Sequence, residues 1–213
     1  MRMLPSLALA LSLLAAAAPA GGAPAGDAPA PILYRYQVVP ERSRVSFSFT
    51  GLVLPQDAYF GIVRGEILLG GGDFPFQGAS GWIRVETASV RAGDPLQERM
   101  LREAVLDAGS HPWADLRVSE GKPLEPPEER GREKDWEVEA RGTLQLHGVG
   151  RAVPLRFRVA DTGTDLYLSG EGRLLLSDFG MSRPTVLLVV PGSGVVNVKV
   201  RLVARPVPPP PEP

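Results

Sequence analysis

The chain has 213 residues, with 23 basic and 24 acidic side chains and no cysteine. The absence of cysteine excludes disulfides, thiolate metal ligands and thiol nucleophiles. The charge is close to balanced and no basic cluster occurs, which argues against nucleic acid and anionic membrane surfaces as partners.

The first twenty residues have the pattern of an export signal. Arg2 is followed by an apolar run from Leu4 to Ala18, and Ala18-Pro19-Ala20 supplies the small residues of a cleavage site after Ala20. The run is short and alanine-rich for a membrane span, so an uncleaved membrane anchor is the less favoured alternative. We therefore predict a signal peptide at 1–20 and a periplasmic or secreted protein. We also predict a flexible Gly/Ala/Pro-rich leader at 21–33, one domain at 34–205 and a proline-rich tail at 206–213.

Most of the predicted domain alternates apolar and polar residues with period two, as in Val45–Phe49 and Val196–Leu202. This pattern is typical of half-buried antiparallel strands. The same interpretation applies to Trp136–Leu146 and Val153–Val159, and further strands are predicted at Tyr34–Val39, Phe60–Leu69, Gly81–Ala88, Asp115–Glu120, Asp165–Leu176 and Val186–Val190. Eight to ten short strands indicate an all-β barrel or sandwich.

Two segments depart from this alternation. Asp94 and Pro95 predict a helix start, with Gln97 completing a capping box. An apolar face follows at helical spacing, made by Leu96, Met100, Leu101, Ala104 and Val105. The charged, proline-broken stretch Gly121–Lys134 is predicted to be a long exposed hairpin loop.

The sequence contains no recognisable catalytic or metal-binding motif. His111 and His147 are its only histidines, and neither belongs to a sequence cluster of metal ligands, so both are interpreted as loop or turn residues. No Gly-x-Ser-x-Gly motif occurs. We expect no catalytic residue, no metal and no cofactor.

Four stretches in order resemble the YceI-like family, the lipocalin-like polyisoprenoid-binding proteins of bacteria. They are Tyr36–Phe47, Leu106–Ser119, Gly142–Val149 and Ser177–Met181. The resemblance covers about residues 34–204. It implies an eight-stranded antiparallel lipocalin-like barrel with a short helix closing one end. It also implies an apolar tunnel for a long-chain isoprenoid or similar lipid.

The resemblance is incomplete at polar positions. Val39 and Arg42 stand where the family often has aspartate and histidine, and Gly51 stands where a histidine is common. Leu176 replaces a basic residue, and Gly150 replaces a threonine. These changes affect recognition of a ligand's head group more than they affect the barrel.

Candidate ligand-binding residues are the large apolar side chains of the predicted inner face and one acidic residue at the barrel end: Phe47, Phe49, Phe60, Trp82, Leu144, Phe157, Leu166 and Asp178. Two alternatives stay open for them. The apolar side chains could fill the barrel completely, and Asp178 could bond the backbone of its own turn.

Three functions are compatible with the sequence. The first is a non-catalytic carrier of an isoprenoid or other long-chain apolar molecule. The second is a structural or interaction module with a filled barrel and an acidic docking loop at 125–135. The third is an enzyme acting on a lipid inside the tunnel. Whether two copies form a homodimer is left open.

Overall fold

The computed structural model of the protein describes residues 34–49, 57–73, 75–130, 133–181 and 194–208. The predicted signal peptide and the strand predicted at Val186–Val190 lie outside the described residues. No helix in the described part of the chain is both long and apolar enough to cross a membrane.

The described residues form twelve antiparallel strands. They are β1 (Tyr34–Val38), β2 (Arg44–Phe49), β3 (Asp57–Phe60), β4 (Val63–Leu69), β5 (Ser80–Glu86), β6 (Val90–Arg91), β7 (Trp113–Pro123), β8 (Glu128–Arg130), β9 (Glu133–Leu146), β10 (Val149–Asp161), β11 (Leu166–Leu175) and β12 (Val195–Pro206). Their order around the sheet is β1-β4-β5-β7-β9-β10-β11-β12, and β12 pairs again with β1.

The sheet is therefore a closed eight-stranded barrel, which confirms the predicted fold. The 3₁₀ turn Pro40–Arg42 separates β1 from β2, and β12 pairs with both. In the same way β3 leads into β4, and β5 leads into β6, so three of the eight barrel strands are bent. Where the ring of strands is closed, every strand has a paired neighbour on both sides and no sheet edge is exposed.

A short helix, α1 (Pro95–Met100), follows β6 and continues as a π-helical turn over Leu101–Val105. The predicted cap is confirmed, because the side chain of Asp94 accepts a hydrogen bond from the backbone N–H of Gln97 at 3.0 Å. Leu101 and Val105 are buried in the barrel core. Leu96, predicted on the same apolar face, is instead 64% exposed, because the first turn of this short helix presents it to solvent.

The segment Gly121–Lys134 was predicted to be a loop, and this prediction is wrong in part. Strand β7 runs to Pro123, and β8 pairs with the start of β9 through Glu128↔Asp135 and Arg130↔Glu133. The charged residues belong to a paired ribbon, in which Glu129 faces Lys134 and their exposed side chains form an ion pair at 3.4 Å. Backbone pairing overrides the low strand propensity of this composition.

Candidate functional site

One half of the barrel interior is hollow. A cavity of about 340 Å³ lies among residues of β2, β3, β5, β7, β9, β10, β11 and β12. Its walls are almost entirely apolar, as shown by Val45, Phe47, Phe60, Ile83, Leu144 and Val198. A cavity of this kind binds apolar groups by removing them from water, and it falls at the lower end of the range typical of small-molecule pockets.

The other half of the barrel is filled. Trp136 is only 2% exposed and packs edge-on against Phe76, with ring centroids 5.3 Å apart. Val159 and Leu166 join them in a separate core cluster, and Phe157 belongs to that cluster and also borders the cavity. Phe157 thus forms the floor of the hollow half. Of the two alternatives for the interior, a filled core describes one half of the barrel and an apolar cavity describes the other.

The opposite end of the cavity is closed by residues outside the strands. Val105 and Leu106 follow α1, and Phe179 and Met181 belong to the 3₁₀ turn at Leu176–Phe179 and the residues just after it. Phe179 and Met181 are buried. The helix and this turn together cover this end of the hollow half.

The barrel wall has a gap between β10 and β11, which we call the β10–β11 seam. The pairing of these strands runs from Asp161↔Leu166 to Phe157↔Gly170 and extends no further among the described residues. Beyond that point, within the part of the chain that the structure describes, β10 pairs with β9 and β11 pairs with β12. Consecutive residues on both sides of the gap, 153–156 and 171–175, border the cavity, so the cavity reaches the surface through the seam.

Sequence features explain why the wall opens here. Pro154 has no backbone N–H to donate, and proline is confined to strand edges for that reason. Gly172, on β11, has no side chain, and a Cβ built on it would meet no heavy atom within 4 Å. Both residues border the cavity where the two strands are apart.

The rim of the seam is rich in arginine. Arg156 and Arg173 are exposed there, and neither forms an ion pair with another residue in the described ranges. Glu171, on the same rim, pairs with Lys199 at 3.3 Å. Arg151, further along β10, donates from Nε to the backbone oxygen of Asp178 at 2.9 Å.

The structure brings five of the eight candidate ligand-binding residues to the cavity wall: Phe47, Phe49, Phe60, Leu144 and Phe157. The other three lie elsewhere. Trp82 is 39% exposed on the outer face of β5, and Leu166 is fully buried in the filled half. The exposed Asp178 borders a second pocket, which is lined by residues from both sides of the seam.

The filled end carries a carboxylate that is held by two arginines. Asp165, in the turn between β10 and β11, accepts hydrogen bonds from Arg42 at 2.6 Å and from Arg205 at 3.0 Å. The guanidinium groups of Arg205 and Arg42 hold the pKa of Asp165 below its ordinary value. These bonds join the β10–β11 turn to β12 and to the turn after β1, next to where the ring closes.

A cluster that sequence spacing did not indicate lies at the helix end. Asp107, His111 and His147 are half-buried, and a nitrogen of each histidine and a carboxylate oxygen of Asp107 all lie within 4.8 Å of one another. Asp107 and His111 come from the segment after the helix, whereas His147 is in the β9–β10 turn. Only the barrel geometry brings the two segments together.

The sequence pattern of the YceI-like domain family matches residues 36–204, which is most of the chain. The chain belongs to the YceI-like family. Solved structures agree with the fold of this YceI-like barrel. One is a polyisoprenoid binding domain from Saccharophagus degradans implicated in plant cell wall breakdown, with 14% identity, a TM-score of 0.64, and coverage of 81% of this chain and 98% of that one.

Another is BcnA from Burkholderia cenocepacia, with 20% identity, a TM-score of 0.63, and coverage of 78% of this chain and 98% of that one. None of the curated protein sequences compared with the chain matches it. At these identities the structural likeness establishes the shared barrel.

The chemistry available inside this YceI-like barrel is limited. The titratable residues that border the cavity are Arg156, Glu171 and Arg173, and all three are at the seam. Among the described residues, the cavity wall is therefore apolar inside, and its charged side chains are at the rim.

Proposed function

We propose that this protein binds one long-chain apolar molecule, an isoprenoid or similar lipid, and carries or sequesters it without chemical change. The observation that supports the proposal is the apolar cavity of about 340 Å³ in the hollow half of the barrel. Membership of a family with a polyisoprenoid-binding member of the same fold supports the ligand class.

Hydrocarbon burial supplies enough free energy for this function. Each buried methylene group contributes about 0.8 kcal/mol, so ten of them contribute about 8 kcal/mol, the equivalent of micromolar affinity before the costs of immobilisation. Because Phe157 closes the floor, a longer chain occupies the hollow half with one part and leaves through the β10–β11 seam with the rest.

The direct test is native mass spectrometry of the protein as purified, followed by organic extraction of any guest. We expect a mass increment that disappears on extraction and returns when a long-chain isoprenoid is added. A protein that is empty as purified and binds no added isoprenoid would refute the proposal. The same spectra report whether two copies form a homodimer.

We also propose that the guest passes through the seam. Because the chain has no cysteine, the double variant Arg156→Cys/Glu171→Cys places the only two thiols across the gap, one register step beyond Phe157↔Gly170. A bifunctional maleimide joining them should slow exchange of a bound fluorescent isoprenoid.

The matched control is Arg158→Cys/Ser169→Cys, which joins residues already paired across β10 and β11. Cross-linking this control should leave the exchange rate unchanged. Equal exchange rates in both cross-linked proteins would show that the guest uses another route.

The arginines at the rim suit a polar or anionic end of the guest. Replacing both Arg156 and Arg173 by glutamine should weaken binding of a prenyl phosphate more than binding of the corresponding prenyl alcohol, because only the phosphate uses their charge. Equal losses for the two ligands would contradict this placement of the polar end.

Export is part of the proposal, since an apolar carrier of this family with an N-terminal apolar run suits a periplasmic or secreted location. The run Leu4–Ala18 and the Ala18-Pro19-Ala20 sequence support cleavage after Ala20. N-terminal sequencing of the protein recovered from a bacterial periplasm should begin at Gly21, and retention of Met1 would contradict the cleavage.

A further inference from the structure

Both histidines of the chain lie side by side although they belong to different segments. The imidazole rings of His111 and His147 have centroids 4.3 Å apart, and the carboxylate of Asp107 lies within 4.8 Å of a nitrogen of each. The cluster is half-buried and directly follows Leu106 and Leu146, which border the cavity. It is separate from the seam, and no step of the proposed lipid binding uses it.

The backbone is strained at two members of this cluster. Asp107 has φ 43° and His147 has φ 52°, and Glu120 is the third non-glycine residue with positive φ in the described ranges. His147 and Gly148, with φ 52° and 75°, form a two-residue turn between β9 and β10. Two positive φ values are typical of a type I′ turn, in which asparagine-glycine is the usual pair. Strained residues of this kind concentrate at functional sites.

The third member is held in place by its own contacts. The N–H of His111 donates to the backbone oxygen of Asp107 at 2.8 Å, and the buried Thr87 donates from Oγ1 to the backbone oxygen of His111 at 2.6 Å. A Cβ on Gly148 would lie 3.1 Å from Cε1 of His111. The glycine thus lets the imidazole approach the turn closely.

We propose that Asp107, His111 and His147 bind a divalent first-row transition-metal ion such as Zn²⁺. Two imidazoles and one carboxylate form a donor set that such ions favour, and three protein ligands leave at least one coordination position for water or another small ligand. The three ligand atoms already lie within 4.8 Å of one another before any ion binds. Rotation of the two imidazole rings about their side-chain bonds brings the ring nitrogens closer to the carboxylate oxygen, as binding to a single ion requires.

The test is calorimetric titration of the tag-free protein with ZnCl₂ near neutral pH. We expect one ion per chain, and an affinity lowered about tenfold or more by each of His111→Gln and His147→Asn, since each removes a direct ligand. Asparagine suits the type I′ turn, so His147→Asn keeps the β9–β10 hairpin even if His111→Gln disturbs its loop.

Glu120→Asn is the matched control, because Glu120 also has positive φ but lies outside the cluster. It should leave Zn²⁺ affinity unchanged. With Co²⁺ in place of Zn²⁺, the wild-type protein should show visible d–d absorption that His147→Asn lacks. Absence of one-to-one binding, or equal affinity in wild type and His147→Asn, would overturn the proposal and leave the histidines as a pair of rings in packing contact.

Discussion

Two glycines on the inner face of β11 should respond in opposite ways to replacement by leucine. A Cβ at Gly172 would meet no heavy atom within 4 Å, whereas a Cβ at Gly170 would lie 2.8 Å from Cδ1 of Phe157 and 3.1 Å from the backbone oxygen of Arg156. Both glycines border the cavity. Gly172→Leu therefore places its side chain in the space proposed for the guest, and Gly170→Leu overpacks the floor.

The expected magnitude follows from the space that the new side chain occupies. Four side-chain carbons at Gly172 displace about four methylene groups of a guest, worth about 0.8 kcal/mol each. The loss of about 3 kcal/mol raises Kd for a long-chain guest about 100-fold. The free energy of unfolding of the empty protein should rise by about 0.5–1 kcal/mol, because the unfolded chain loses the freedom of glycine.

Gly170→Leu should instead lower the free energy of unfolding by about 1–3 kcal/mol, the usual cost of overpacking. Urea unfolding measures both stabilities, and titration with a fluorescent isoprenoid analogue measures the affinities. Gly93→Leu is the control, since Gly93 is exposed and a Cβ there also meets nothing within 4 Å. Wild-type affinity in Gly172→Leu would refute the placement of the guest beside β11.

The filled half and the cavity wall give further predictions. Trp136→Ala should lower the free energy of unfolding by about 3–5 kcal/mol. Trp136→Phe should lower it by much less, because the buried Nε1 of Trp136 has no hydrogen-bond partner among the described residues, so that this substitution breaks no hydrogen bond. Urea unfolding measures both changes. Phe47→Ala should destabilise by a similar 3–5 kcal/mol or so, yet it should admit a bulkier fluorescent guest than wild type, and unchanged guest selectivity would contradict this. Asp165→Asn should lower the urea midpoint most at neutral pH. In the wild-type protein the pKa of the Asp165 carboxyl group is lowered. Its contribution to stability is therefore present above the ordinary carboxyl pKa of about 3.9 and disappears as the pH falls through the lowered value. A midpoint difference that persists in strong acid would contradict that origin.

Local sequence was sufficient to predict which residues of most strands share the apolar face. The alternation in Val45–Phe49 and Val196–Leu202 placed apolar residues on the inner face, and the cap at Asp94 marked the helix start where the structure has it. Local sequence was misleading for Gly121–Lys134, where pairing with β9 outweighs composition, and for Leu96, where a short helix leaves an apolar residue in solvent.

The candidate site was accessible from sequence only as a set of inward-facing residues. A period of two sorts side chains between the inner and outer faces, but it does not fix which direction is inner on a strand such as β5, where Trp82 lies outside. It also carries no information on position along the barrel axis, so Leu166 and Leu144 look alike in sequence although one is in the filled half and the other is in the cavity wall.

The sequence by itself determined an all-β, mostly antiparallel fold, because alternation and turn spacing are local properties that every strand repeats. The choice of a closed eight-stranded barrel over a sandwich came from the resemblance to the YceI-like family. Tertiary structure alone decided that Trp136 and Phe76 fill one half, that β10 and β11 separate beyond Phe157, and that His111 meets His147. Each of these depends on distances between segments far apart in the chain, and such distances are fixed only when all eight strands close together.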